Sequence, residues 1–147
     1  MRDAWFRLVD LGFGDELALR MFLARTVLDG RPVGTGMAVL AGDDALTLPM
    51  MALGAKGVIT VTANIVPKDM AKMVDAFAAG KLAEARKLHY KMSPLFAALF
   101  YETNPIPVKE ALGMMGKCSA ELRLPLCPMA ADTREKLSRA LKDYGLI

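Results

Sequence analysis

The first 55 residues of this 147-residue chain contain five arginines and no lysine, whereas the remainder holds ten lysines and four arginines. Chemistry that begins with a lysine amine therefore has no candidate upstream of Lys56. Cysteine is nearly as scarce. Cys118 and Cys127 form neither a disulfide framework nor a C-x-x-C pair. The single histidine, His89, cannot anchor a histidine-based zinc site. Net charge is only +3, with 19 basic and 16 acidic residues interspersed. No basic block or basic-aromatic stripe is present, which argues against nucleic-acid binding.

The N-terminus MRDAWFRLVD is broken by Arg2, Asp3, Arg7 and Asp10, so it has no uninterrupted apolar core for a signal peptide. Together with the sparse cysteines, this fits a reducing cytoplasm. The nearest approach to a membrane span is residues 45–67, whose only charge is Lys56. A central lysine costs about 2.5–3.5 kcal/mol on insertion scales, and Pro49, Gly54, Gly57 and Asn64 interrupt the run. A membrane hairpin is the poorer reading; a buried helix followed by a buried strand is the better one.

What is present is a switch of period along the chain. The hydrophobic fraction is 54%, the charged fraction 24%, and the mean hydropathy +0.29, so a core is available without a membrane composition. DELALRMFLARTVLD at 15–29 reads as a helix ended by Gly30, and RPVGTG as a turn-rich connector. MAVLA at 37–41 is a short apolar run of the kind buried on both faces of a parallel sheet. Asp43 or Asp44 can cap a helix over 45–53, because an Asp oxygen accepts orphan amide hydrogens. GVITVT at 57–62 reads as a second buried strand rich in β-branched residues. Strand, short helix, strand is the parallel βαβ arrangement.

Beyond Asn64 the period becomes helical. Met70, Met73, Val74 and Phe77 share a face, Pro67 suits a first turn, and Gly80 ends the helix. A longer helix over 81–101 carries Leu82, Ala85, Leu88, Met92, Leu95, Phe96 and Leu99, with Pro94 inside it to kink or split it. Val108, Ala111, Leu112 and Met115 mark another helix, ended by Gly116. The last starts at Asp132-Thr-Arg-Glu135, which resembles a capping box, and carries Leu137, Ala140, Leu141 and Tyr144. The eleven methionines fall mostly on these apolar faces, as gap-filling core residues do. Two parallel strands do not stand alone, so the chain reads as the closing part of a larger α/β fold.

Three segments, AGDDALTLPMMALGAKGVITVTAN, ETNPIPVKEALGMMG and LRLPLCPM, carry a family resemblance from residue 39 to the end. In this order and spacing they are similar to dihydrodipicolinate synthases, pyruvate-dependent Schiff-base aldolases related to N-acetylneuraminate lyase on a (β/α)8 TIM barrel. The resemblance implies the C-terminal part of that barrel: its last two strand–helix units over 38–80, then a helical C-terminal region over 81–147. Residues 1–37 do not resemble the family and form an atypical helical N-terminal segment. They fit either a truncated or frame-shifted reading of a longer gene or a stand-alone piece with a new helix.

The resemblance places Asp43 and Asp44 at the C-terminal end of a barrel strand, the face where barrel active sites lie. It also makes Ile59 the residue that packs against bound pyruvate, and Gly42 the glycine that lets backbone approach the substrate. The family has Ser where this chain has Ala41. Two neighbouring acids do not supply enough converging oxygens for a metal, and no cofactor is implied. The implied chemistry, in lysine and diaminopimelate biosynthesis, is condensation of pyruvate with aspartate semialdehyde through a lysine imine. That lysine and the proton-relaying tyrosine belong to upstream strands. Lys56 lies at the wrong end of its strand, Lys109 starts a tail helix, and Tyr90, Tyr101 and Tyr144 lie in the tail.

Two further readings remain beside inactive-alone synthase: a non-catalytic fragment or interaction module with open sheet edges, and a related 2-oxo-acid lyase or aldolase. The family forms tetramers, so a homo-oligomer is an expectation.

Overall fold

The structure is a computed structural model that describes residues 38–147. The predicted helix over 15–29, the RPVGTG connector and the segment 1–37 as a whole lie outside the described residues. The elements are β1 (Leu40–Ala41), α1 (Thr47–Ala52), β2 (Gly57–Val58), a 3₁₀ turn (Thr62–Asn64), α2 (Pro67–Ala78), α3 (Leu82–Ala98), α4 (Ile106–Met114) and α5 (Ala131–Tyr144).

β1 and β2 pair in parallel, Leu40 opposite Gly57 and Ala41 opposite Val58. The pairing reaches one step further at each end: the Lys56 N–H donates to the Val39 carbonyl at 2.8 Å, and the Ile59 N–H to the Ala41 carbonyl at 2.9 Å. Both strands are shorter than the runs 37–41 and 57–62 that suggest them. Past Ile59 the chain turns, because the Thr60 hydroxyl accepts the Ala63 N–H at 3.1 Å and Thr62 opens the 3₁₀ turn.

Burial on both faces, expected from the continuous apolar runs, holds on one face only. Ala41 packs with Met50 and Ala55, with Val58 beside them. Side chains alternate along a strand, so Leu40, Gly57 and Ile59 share the other face. There Leu40 is 41% exposed and Ile59 73% exposed. Gly57, between them, is buried, with the Leu40 side chain beside it.

The helix after Asp43 and Asp44 starts later than predicted and is not capped by either acid. Its N-cap is Leu46, with no side-chain cap bond. Asp43 Oδ1 instead accepts the N–H groups of Ala45 at 2.9 Å and Leu46 at 3.3 Å, turning the chain just ahead of the helix.

The helical tail holds the main core. Met73, Met92, Leu95, Leu99, Leu137 and Leu141 are fully buried, joining α2, α3 and α5. Pro67 stands in the first turn of α2, and Gly80, at φ 74°, ends that helical register in a conformation L-residues avoid. α3 runs through Pro94 as one helix and is not split. Leu82, in its first turn, is exposed rather than on the core face, since the core begins one turn later at Ala85.

The capping box predicted at Asp132 does not form. The N-cap of α5 is Ala130, so Asp132 already lies inside the first turn. Glu102, distant in sequence, does the capping: its Oε1 accepts the Ala130 N–H at 2.9 Å and the Thr133 hydroxyl. A carboxylate there also meets the positive end of the helix dipole.

Candidate functional site

Two strand exits meet at one end of the β1–β2 pair. Gly42, Asp43 and Asp44 follow β1; Ile59 and Thr62 follow β2. A parallel pair brings both exits to the same end, the C-terminal one, which is where ligand sites of parallel α/β sheets gather.

Asp44 ties these exits together. It is 2% exposed, and its Oδ2 accepts the Thr62 N–H at 2.8 Å and the Thr62 hydroxyl at 2.7 Å. Asp43 and Asp44 thus divide two tasks, a local turn for one and a buried bridge between loops for the other. Asp44 Oδ1 is also buried and has no hydrogen-bond partner. Thr62 was not anticipated from the sequence, where it read as the end of a strand. The signal available was positional: an acid and a threonine stand a few residues beyond two successive strands.

A cavity of about 710 Å³ opens beside Asp44, between this loop and the face of α3. Asp43, Asp44, Ser93, Phe96, Glu102 and Asn104 are among the residues lining it. Among the described residues its side chains are acidic, neutral polar and apolar, with no lysine or arginine. Glu102 and Asn104 come from the turn before α4, and neither stood out in the sequence.

Gly42 and Ile59 do not line this cavity. Ile59 lies on the uncovered face of the sheet, and a Cβ built on Gly42 would meet nothing within 4 Å. The structure therefore brings the two residues to one end of the pair but, among the described residues, puts no wall opposite them.

The amines and tyrosines are placed elsewhere. Lys56 is exposed and precedes β2, at the end of the sheet opposite Asp44. Lys109 lies within α4, and Tyr90, Tyr101 and Tyr144 all belong to the helical tail. The Tyr144 hydroxyl donates to Asp69 Oδ2 at 2.6 Å, and Lys91 Nζ meets the same oxygen at 2.6 Å while lying 4.6 Å from the Tyr144 ring centre. Hydrogen bonds from Lys91 and then Tyr144 hold the Asp69 carboxyl below its ordinary range. Burial, reinforced by Asp69, pushes the Tyr144 hydroxyl well above its own. A phenol so held clamps α2, α3 and α5 together.

His89 packs edge-on to Tyr90 and at a tilt to Phe96, with centroid distances of 5.7 and 5.6 Å. Its Nδ1 is buried without a partner, and burial lowers its pKa. Among the described residues no three His, Cys, Asp or Glu side chains are grouped to hold a metal, and no helix is long and apolar enough to cross a membrane. Residues 45–67 accordingly form a six-residue helix, a strand and turns.

Comparison with known proteins agrees with this geometry. The 4-hydroxy-tetrahydrodipicolinate synthase of Geobacter metallireducens is 58% identical over 114 residues, covering 78% of this chain and 39% of that protein. The dihydrodipicolinate synthase structure from Thermotoga maritima superposes with a TM-score of 0.80 at 42% identity, over 85% of this chain and 42% of that one. That of the chloride-inhibited enzyme of Acinetobacter baumannii, complexed with pyruvate, gives 0.73 at 48% identity, over 76% and 38%. The chain thus spans about two fifths of the length of the relatives it matches, the first of them being covered over 39%. The profile of the Dihydrodipicolinate synthetase family matches residues 26–144, so the chain belongs to that family.

Proposed function

We propose that this chain forms the last two strand–helix units, over 38–80, and the C-terminal helical region, over 81–147, of a (β/α)8 barrel of the 4-hydroxy-tetrahydrodipicolinate synthase type. In this reading Gly42 and Ile59 belong to the wall that packs against pyruvate, and the chain serves lysine and diaminopimelate biosynthesis in the cytoplasm. The observation that carries it is the apolar face of the parallel pair on which Leu40 and Ile59 lie exposed, open among the described residues as the inner face of an incomplete barrel would be.

The reaction opens when a lysine amine attacks the ketone of pyruvate and loses water to give an imine, whose enamine then attacks aspartate semialdehyde. Neither Lys56 nor Lys109 stands at the C-terminal end of the strands, so this chain supplies the wall and not the amine. By itself it is inactive. Asp44 and Thr62 hold the two wall segments in register.

A chimera tests this reading. Residues 39–147 of this chain replace the matching part of the Geobacter metallireducens relative, which keeps its own upstream strands. The chimera is expected to form a borohydride-stable pyruvate adduct and to condense it with aspartate semialdehyde. Ile59→Asp in that chimera, burying an unpaired charge against pyruvate, is expected to lower kcat/KM by about tenfold or more. A folded chimera without the adduct, or one indifferent to Ile59→Asp, would overturn the reading.

A further inference from the structure

We infer that Thr62 is a positioning residue for pyruvate: through its buried bridge to Asp44 it sets where Ile59 and Gly42 stand, and so how tightly the keto acid is held, without touching it. This rests on the wall of Gly42 and Ile59 proposed above.

Neither wall position is fixed by packing of its own. Ile59 is 73% exposed, and a Cβ built on Gly42 would meet nothing within 4 Å. Their places are set by the backbone on either side. On the strand side, the Ile59 N–H donates at 2.9 Å to the carbonyl of Ala41, the residue before Gly42. On the other side the chain runs into two loops.

Each loop is braced internally. After β1, Asp43 Oδ1 accepts the N–H groups of Ala45 and Leu46. After β2, the Thr60 hydroxyl accepts the Ala63 N–H, and the Thr62 carbonyl accepts the N–H groups of Ile65 and Val66, both at 2.9 Å. Asp44 Oδ2 then joins the two loops, taking the Thr62 N–H and hydroxyl. Both partners are buried. An apolar pair could fill that space without burying a carboxylate; what the bonds add is direction and length. Braced loops that are cross-linked keep a fixed spacing, and cutting the link lets that spacing vary. A contact made equally before and during the reaction acts on binding and not on turnover, so the displacement should be read in KM.

The experiment is steady-state kinetics on the chimera, with thermal melts to check folding. Thr62→Val keeps the side-chain shape and the N–H bond and deletes the hydroxyl bond. It is expected to raise KM for pyruvate by about tenfold, with kcat within about twofold. Asp44→Asn, which keeps an acceptor oxygen but loses the charge, should raise KM less, by about threefold. Thr62→Ser, which returns the hydroxyl, should bring KM back to within about twofold of the parent. Tyr144→Phe, which weakens the clamp at Asp69, should leave KM unchanged despite its loss of stability. The inference is overturned when neither Thr62→Val nor Asp44→Asn moves KM, when Thr62→Ser raises it as far as Thr62→Val, when Tyr144→Phe raises it equally, or when the loss falls on kcat alone. Ile59→Asp separates the two claims. An effect of Ile59→Asp beside a parental Thr62→Val sinks the positioning role alone, whereas indifference to Ile59→Asp sinks the pyruvate wall and this role with it.

Discussion

Asp44 and Thr62, 18 residues apart, are joined by two hydrogen bonds at one carboxylate oxygen, 2.8 Å from the backbone N–H and 2.7 Å from the hydroxyl. Because Asp44 is buried, the pair fixes how the loop after β1 stands against the loop after β2. Everything between them, including Ile59, inherits that spacing.

Removing either partner should therefore loosen the end of the sheet. Hydrogen bonds to a charged group contribute about 1.5–3 kcal/mol each, and a buried acceptor left unpaired adds its own penalty. Thr62→Val, which keeps the N–H, is expected to cost about 1–2 kcal/mol, and Asp44→Ala about 3 kcal/mol. Urea unfolding of the two variants measures the difference, and equal midpoints for variants and parent would refute the bridge.

Glu102 does for α5 what a local N-cap residue does elsewhere. Glu102→Ala frees the Ala130 N–H and the Thr133 hydroxyl, with an expected loss of about 1 kcal/mol. Asp132→Ala, at a position that reads as a cap in the sequence, should cost less. Thermal melts that rank the two the other way would restore the local capping box.

The clamp at Asp69 has a pH signature at each end. Asp69 has a folded pKa below 3.8, so its contribution is present above that value and lost as pH falls through the folded one. Tyr144 has a folded pKa above 10.0; its contribution is whole below 10.0 and fades only as pH rises past it. Tyr144→Phe removes one bond to the carboxylate and should cost about 1 kcal/mol at neutral pH. It should also flatten the alkaline decline in melting temperature. A variant that loses stability in alkali as steeply as the parent would contradict this.

His89 acts in the acid range. Its folded pKa is depressed below 6.5 by burial, so as pH drops through 6.5 the unfolded chain gains a proton that the folded chain resists. Stability should fall from pH 7 toward pH 5, and His89→Phe should fall less over that interval. Parallel melts across the interval check it.

The helical tail was legible because a 3.6-residue period over long segments leaves few alternatives. Met70 and Met73 on α2, and Leu137 and Leu141 on α5, are buried as their spacing predicts. The strands were legible in kind and direction but not in extent. Strand length depends on neighbours, and no local pattern in MAVLA or GVITVT reports how many neighbours the ladder has. The same dependence exposes Ile59, whose composition reads as core. The caps failed for a related reason. Asp43, Asp44 and Asp132 each look like helix starts, yet Thr62 and Glu102 decide the outcome from 18 and 28 residues away. A sequence shows which groups can accept an N–H but not which distant group arrives first.

The most direct measurement is mass spectrometry with peptide mapping after borohydride reduction with pyruvate, on this chain alone and on the chimera that keeps the relative's upstream strands. The reduced imine is expected in the chimera only, on a peptide from the relative's upstream strands, with the 147-residue chain unmodified. A pyruvate adduct on this chain, at Lys56, Lys109 or any other amine, would contradict the account.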